Sequence, residues 1–220
     1  MYVQHAHEAR NCIFGAHWEN HFERISADWL EKVSPEDTVL LPGDLSWAIQ
    51  LQDAKPDIER VAALPGNKIL IRGNHDYWWS SISRVREAMP EKMFALQNDA
   101  LLLGDIVFCG TRGWILPCEG WDKDDERIYL RELGRLKMSM EKARSLLPQG
   151  NAICLLHYPP LTETNPDTDV TRLIENYGIK QVVYGHLHGA ALKNAFRGEH
   201  NGVFYHQASC DGTGFKLISM

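Results

Sequence analysis

Four short stretches of the chain carry side chains able to hold a metal ion or move a proton. They are Asp44 in LPGD, Asn74 and His75 in RGNHD, His157 in LLHYPP, and His186 with His188 in GHLHG. Carboxylate, imidazole and amide oxygen are donors that manganese, iron and zinc accept. Taken singly, each stretch says little. Gly-Asp is a common turn, and an asparagine after glycine usually turns the chain. His157, ahead of Tyr158 and two prolines, reads equally well as a hydrogen-bonded structural histidine. GHLH says more, because residues two apart on an extended chain project to the same side and a glycine lets the backbone approach an ion.

All four stretches close an apolar run that reads as a β-strand: DTVLLPGD (37–44), NKILIRGNHD (67–76), AICLLHYPP (152–160) and QVVYGHLHG (181–189). LLLGDIVFCGTRGW (101–114) reads as two strands around a Gly104-Asp105 turn, and VFYHQAS (203–209) with FKLISM (215–220) as a terminal hairpin around Asp211-Gly212. Helical spacing runs over 18–33, with Phe22, Ile25, Trp29 and Leu30 on one side, and over 55–65. It is strongest over 124–147, where Pro148 and Gly150 stop it, and recurs over 168–177 before Gly178. Strand and helix alternate, which predicts an α/β domain with largely parallel sheets. In such architectures ligands gather at the carboxyl ends of the strands, where these four groups fall. No linker, repeat or biased tract divides the sequence, so 1–220 reads as a single domain.

In order and approximate spacing, Asp44, GNHD, His157 and GHLH resemble the signature of the calcineurin-like metallophosphoesterases, over about residues 38–189. GDLSW, KILIRGNHDYWW and LLHYPP look most like a compact bacterial branch of predicted phosphohydrolases within that family. The resemblance implies a sandwich of two mixed sheets flanked by helices, and one or two divalent metal ions, with Mn, Fe or Zn foremost. Two such ions clamp phosphoryl oxygens and activate a water for attack on phosphorus. By the same resemblance Asp44 bridges the ions, Asn74, His157 and His186 complete one ion's ligands, and His188 serves the other. His75 would contact the phosphoryl group or protonate the leaving oxygen, with Asp76 orienting its ring. Asp76 reads alternatively as the N-cap of a helix beginning at Tyr77.

Protein Ser/Thr phosphatases carry GDxVDRG and GNHE at these places. GDLSW and GNHD lack that arginine and second aspartate, which argues against a protein phosphatase. Arg72 and Arg112 can fork onto phosphate oxygens but read as structural or solvent-facing, outside the candidate site. Tyr77, Trp78 and Trp79, with Trp47 and Trp114, read mainly as core rather than as the wall of a cleft.

One family motif has no match. An Asp-x-His pair ordinarily ends the first strand, and no DxH occurs in this sequence; His5-Ala6-His7 stands where it is expected. Three readings stay open: HAH replaces the pair, the sequence starts past the family's first strand, or the protein keeps one ion or none. The last two together outweigh the first. A neutral imidazole holds a dication less firmly than a carboxylate, and only residues 1–4 precede His5, short for a central strand.

Composition narrows the partners. A net charge of −6 leaves no broad basic face, which argues against nucleic acid and for a small phosphomonoester or phosphodiester substrate. The five cysteines are scattered without CxxC spacing and read as reduced thiols, and no apolar run is long enough to span a bilayer, so a cytoplasmic location with no membrane partner is expected. The expected function is a metal-dependent phosphoesterase. The alternatives are a non-catalytic metal- or phosphate-binding domain that lost its first motif, and a nuclease.

Overall fold

The computed structural model describes residues 15–220. His5, His7 and Cys12 lie outside them. Three strands, β1 (Thr38–Leu41), β2 (Asn67–Ile71) and β3 (Met93–Leu96), form a small sheet that is parallel throughout. Six more make a mixed sheet: β4 (Ala100–Leu103), β5 (Ile106–Thr111), β6 (Asn151–Leu156), β7 (Gln181–Tyr184), β8 (Gly198–His200) and β9 (Val203–Gln207). Their order is β4-β5-β6-β7-β9-β8, with the inner four parallel and the two edge strands antiparallel to their neighbours. The helices are α1 (His21–Lys32), α2 (Leu51–Ala62), α3 (Ile82–Ala88), α4 (Lys123–Leu146) and α5 (Asp169–Asn176). This is the expected α/β sandwich of two sheets flanked by helices, except that among the described residues only the larger sheet is mixed and the smaller is parallel. Among the described residues no helix is long and apolar enough to cross a membrane.

The layers follow from the two-residue period of extended chain. Ile69, Ile71 and Leu96 of the small sheet meet Phe108 and Leu155 of the large one between the sheets. The alternate residue Leu70 faces outward and joins Trp29, Ile58 and Val61 of α1 and α2. Val107, Cys109, Cys154 and Leu156 likewise face away from the small sheet and pack on Leu136, Met140 and Ala143 of α4. Each central strand is therefore apolar on both faces, which is why these runs read as continuous rather than alternating.

Helix ends are set by identifiable groups. The Asp122 carboxylate accepts the N–H groups of Asp124 and Asp125, each at 2.8 Å, and caps α4. Lys68 is buried on β2, where its ammonium donates to the carbonyls of Ala62, at 3.2 Å, and Leu64. It thus satisfies the open carboxyl end of α2 and pins that helix to the sheet.

The structure differs from the sequence reading in three places. The short elements β3, α3 and β8 carry too few residues to announce a period. The helix over 55–65 begins earlier, at Leu51, with Pro56 inside it. The terminal hairpin does not form: β9 pairs with β7 and β8, and the tail crosses to α1 instead. Phe215 is buried edge-on against Trp18, 5.1 Å between ring centroids, and the Leu217 N–H donates to Asp28 at 2.7 Å. Burying Phe215 on α1 takes the tail away from any strand partner.

Candidate metal centre

Asp44, Asn74, His157 and His186 each follow the end of a strand, β1, β2, β6 and β7 in turn, so four loops bring them together. The loops cross at backbone contact. A Cβ on Gly73 would lie 2.1 Å from Asp44 Oδ1, and one on Gly43, whose φ is +90°, would lie 2.7 Å from both Gly73 Cα and His157 Nδ1. Only glycine fits at either place, which is the physical content of the Gly in GD and GN. Asp44 and His186 themselves sit in left-handed backbone, with φ of 58° and 68°. Such conformations are costly for residues with a Cβ and collect at functional sites.

Among the described residues, Asp44, His157 and His186 form a cluster whose donor atoms all lie within 4.8 Å of one another. His157 Nε2 stands 2.6 Å from Asn74 Oδ1 and 3.3 Å from Asp44 Oδ2, and its Nδ1 is 2.8 Å from the Pro42 carbonyl. His186 Nδ1 stands 3.0 Å from the same Asn74 oxygen and 3.2 Å from His157 Nε2. Burial, only partly offset by the Asp44 charge, holds the His157 pKa down to about 4, so the ring is neutral and carries one proton. With that proton on Nδ1, donated to Pro42, the Nε2 lone pair faces two oxygens that are also acceptors. With it on Nε2, the conflict moves to Pro42. The other amide orientation of Asn74 would offer N–H groups to both rings, yet its oxygen is the atom turned inward. More lone pairs than protons converge here, an arrangement that a divalent cation resolves, and the donor set of carboxylate, amide oxygen and imidazole fits one.

His186 is also held to about 4, first by burial and then by the repulsion that protonating both it and His157 would bring. Both rings are neutral where an unfolded histidine, near 6.5, begins to protonate. The sign follows directly. Above about pH 6.5 neither state takes up these protons, and below it the unfolded chain binds protons the folded one refuses. The metal-free protein is therefore expected to lose stability as pH falls from 6.5 to 4, by a few kcal/mol for the pair. Urea midpoints at pH 7.5, 6.0 and 5.0 on EDTA-treated protein measure this; a flat profile would contradict it.

Asp76 has neither role expected of it. No helix begins at Tyr77, since α3 starts at Ile82, and the carboxylate makes no bond to the His75 ring. Instead Oδ2 accepts the N–H groups of Gly73 and Asp44 at 2.7 and 2.8 Å. Oδ1 accepts those of Leu45, Ser46 and the Trp78 indole at 2.9, 3.1 and 2.9 Å. A fully buried carboxylate ties the GD loop to the GNHD loop, and Asp76 positions Asp44 rather than the histidine. Burial, with the Asp44 charge next to it, raises its pKa above the ordinary carboxyl value.

The His75 N–H donates to Asp44 Oδ1 at 2.9 Å, while its half-buried ring turns away from the cluster. The ring stacks on Trp47, 5.0 Å between centroids at 18°, and its Nδ1 is 3.3 Å from the Tyr77 hydroxyl. Trp78 and Trp79 are core residues as expected, whereas Tyr77 is 53% exposed.

His188 is not brought into the cluster. Its Nδ1 is 2.8 Å from Asp211 Oδ1, and Asp211 Oδ2 accepts the Gly189 N–H at 2.8 Å. Burial alone would raise the Asp211 carboxyl, but those two hydrogen bonds leave its pKa below the ordinary value. A carboxylate on Nδ1 fixes the tautomer and leaves Nε2 as the ligating nitrogen, a common arrangement behind metal-bound histidine. Asp211 escapes the sequence reading because Asp-Gly signals a turn, and nothing local says that the turn meets GHLH.

A family model described as calcineurin-like phosphoesterase matches residues 16–190, and the chain belongs to that family, whose members bind divalent metal ions. Among solved structures, similar ones include a protein of unknown function from Aquifex aeolicus. It is 15% identical, with a TM-score of 0.47, covering 98% of this chain and 91% of that one. A comparison with curated proteins found no match.

Proposed function

We propose that the protein is a metal-dependent phosphoesterase, cytoplasmic, acting on a small phosphomonoester or phosphodiester. The observation that supports this reading is the convergence of Asp44 Oδ2 and Asn74 Oδ1 on His157 Nε2, at 3.3 and 2.6 Å, with His186 Nδ1 3.0 Å from the same Asn74 oxygen. A divalent ion held there supplies charge neutralisation for phosphoryl oxygens and lowers the pKa of an attacking water. The chain's own residues do the rest. Asp76 fixes the loop on which Asp44 sits, the His75 N–H holds one Asp44 oxygen, and Pro42 sets the ring of His157. In this reading His75, stacked on Trp47, donates a proton to the leaving oxygen.

The experiment is hydrolysis of p-nitrophenyl phosphate and bis(p-nitrophenyl) phosphate by the full chain with added Mn²⁺. The expected result is nitrophenolate release that EDTA stops and Mn²⁺ restores. Metal binding without turnover of either ester would favour the non-catalytic domain, and faster cleavage of single-stranded nucleic acid would favour the nuclease.

A further inference from the structure

Beside the metal centre, at the same carboxyl ends of the strands, lies a second cavity of about 280 Å³. Four arginines line it: Arg72 after β2, Arg112 after β5, and Arg131 and Arg135 on α4. Its one acidic residue is Glu132, which is 2% exposed. That carboxylate is already engaged. Its Oε1 is 2.6 Å from Arg135 Nη1, 3.7 Å from Arg131 Nε and 3.8 Å from Arg112 Nη2, while Oε2 accepts the Thr111 hydroxyl at 2.9 Å. One carboxylate cannot satisfy four guanidinium groups. Arg72 has no hydrogen-bond or ion-pair partner among the described residues, and its Nε is buried. Buried guanidinium N–H groups are rarely left without an acceptor. In a chain of net charge −6, this is a local excess of positive charge around a hole.

Two of the lining arginines are tied to the loops of the metal centre. Arg72 stands two residues before Asn74, and the Arg112 carbonyl accepts the N–H groups of both His157 and Tyr158, at 3.1 and 3.0 Å. Guanidinium forks match the oxygens of phosphate and carboxylate. We propose that the arginine cavity is a second oxyanion subsite, which holds a phosphate or carboxylate carried by the substrate away from the bond that is cleaved. The inference rests on the phosphoesterase reading and deepens it: the substrate is a small molecule with two anionic groups.

Two measurements keep the two ideas separable. The first is calorimetric titration of the EDTA-treated full chain with inorganic phosphate at low salt, for wild type, Arg72→Gln and Arg131→Gln. Arg131 is 47% exposed, so its variant retains the fold even if Arg72→Gln does not. The wild type is expected to bind, and each variant to bind about tenfold more weakly or worse. No binding by the metal-free wild type, or wild-type affinity in both variants, overturns the subsite.

The second measurement is phosphate release by the Mn²⁺-loaded chain from propyl phosphate and from propane-1,3-diyl bisphosphate. The ratio of the two KM values is expected to shift about tenfold against the bisphosphate in Arg131→Gln. An unchanged ratio alongside weakened phosphate binding would mean that the cavity takes free phosphate, and would overturn the substrate subsite. Phosphate binding as expected, with no turnover of any ester by any form, would count against the phosphoesterase and leave an anion site standing.

Discussion

Asp76→Ala is expected to destabilise the protein by on the order of 5 kcal/mol, a large part of the 5–15 kcal/mol that holds a domain folded. The five donors that converge on this carboxylate are the N–H groups of Gly73, Asp44, Leu45 and Ser46 and the Trp78 indole. They would lose their acceptor in a site that water does not reach, and each buried donor left unpaired costs roughly 1–3 kcal/mol. The costs do not add fully, because the loops can relax. Asp76→Asn keeps one oxygen and the shape, and is expected to cost less. Urea unfolding of both variants beside wild type checks the order. If instead Asp76 served only to orient His75, both variants would unfold like wild type and lose turnover alone.

His75→Ala is expected to lower kcat by about 10²–10⁴, the usual contribution of a positioned acid or base. Bound metal and the urea midpoint are expected to stay unchanged. The ring lies outside the ligand cluster, against Trp47, and its removal leaves the backbone N–H on Asp44 in place. Steady-state kinetics paired with elemental analysis of the same sample separates this from loss of a ligand. A variant that lost metal along with activity would place His75 in the coordination sphere, against the geometry.

The residues that meet at the candidate metal centre were legible in the sequence, because their information is local. A strand end, a glycine and a donor residue occur together in GD, GNHD and GHLH, and parallel β-strands carry those ends to one edge. The layers were legible for a related reason: Ile69, Ile71, Phe108 and Leu155 lie in runs long enough to read as strands. What stayed hidden depends on contacts distant in sequence. Asp76 looks like a helix cap until the amides of residues 44–46 are seen around it. Asp211 looks like a turn until it meets His188. Arg72 and Arg112 look like isolated surface cations, and only the fold sets them with Arg131 and Arg135 around a single buried glutamate. FKLISM has the composition of a strand, but burial of Phe215 against Trp18 draws the tail to α1.

The most direct measurement is transition metal bound per chain, by elemental analysis after purification with Mn²⁺, for wild type and His157→Ala side by side. The geometry of Asp44, Asn74, His157 and His186 predicts at least one ion retained by each wild-type chain and a loss of most of it in the variant. Wild-type protein that retains no metal, or His157→Ala protein that retains as much as wild type, would contradict a metal centre at these residues.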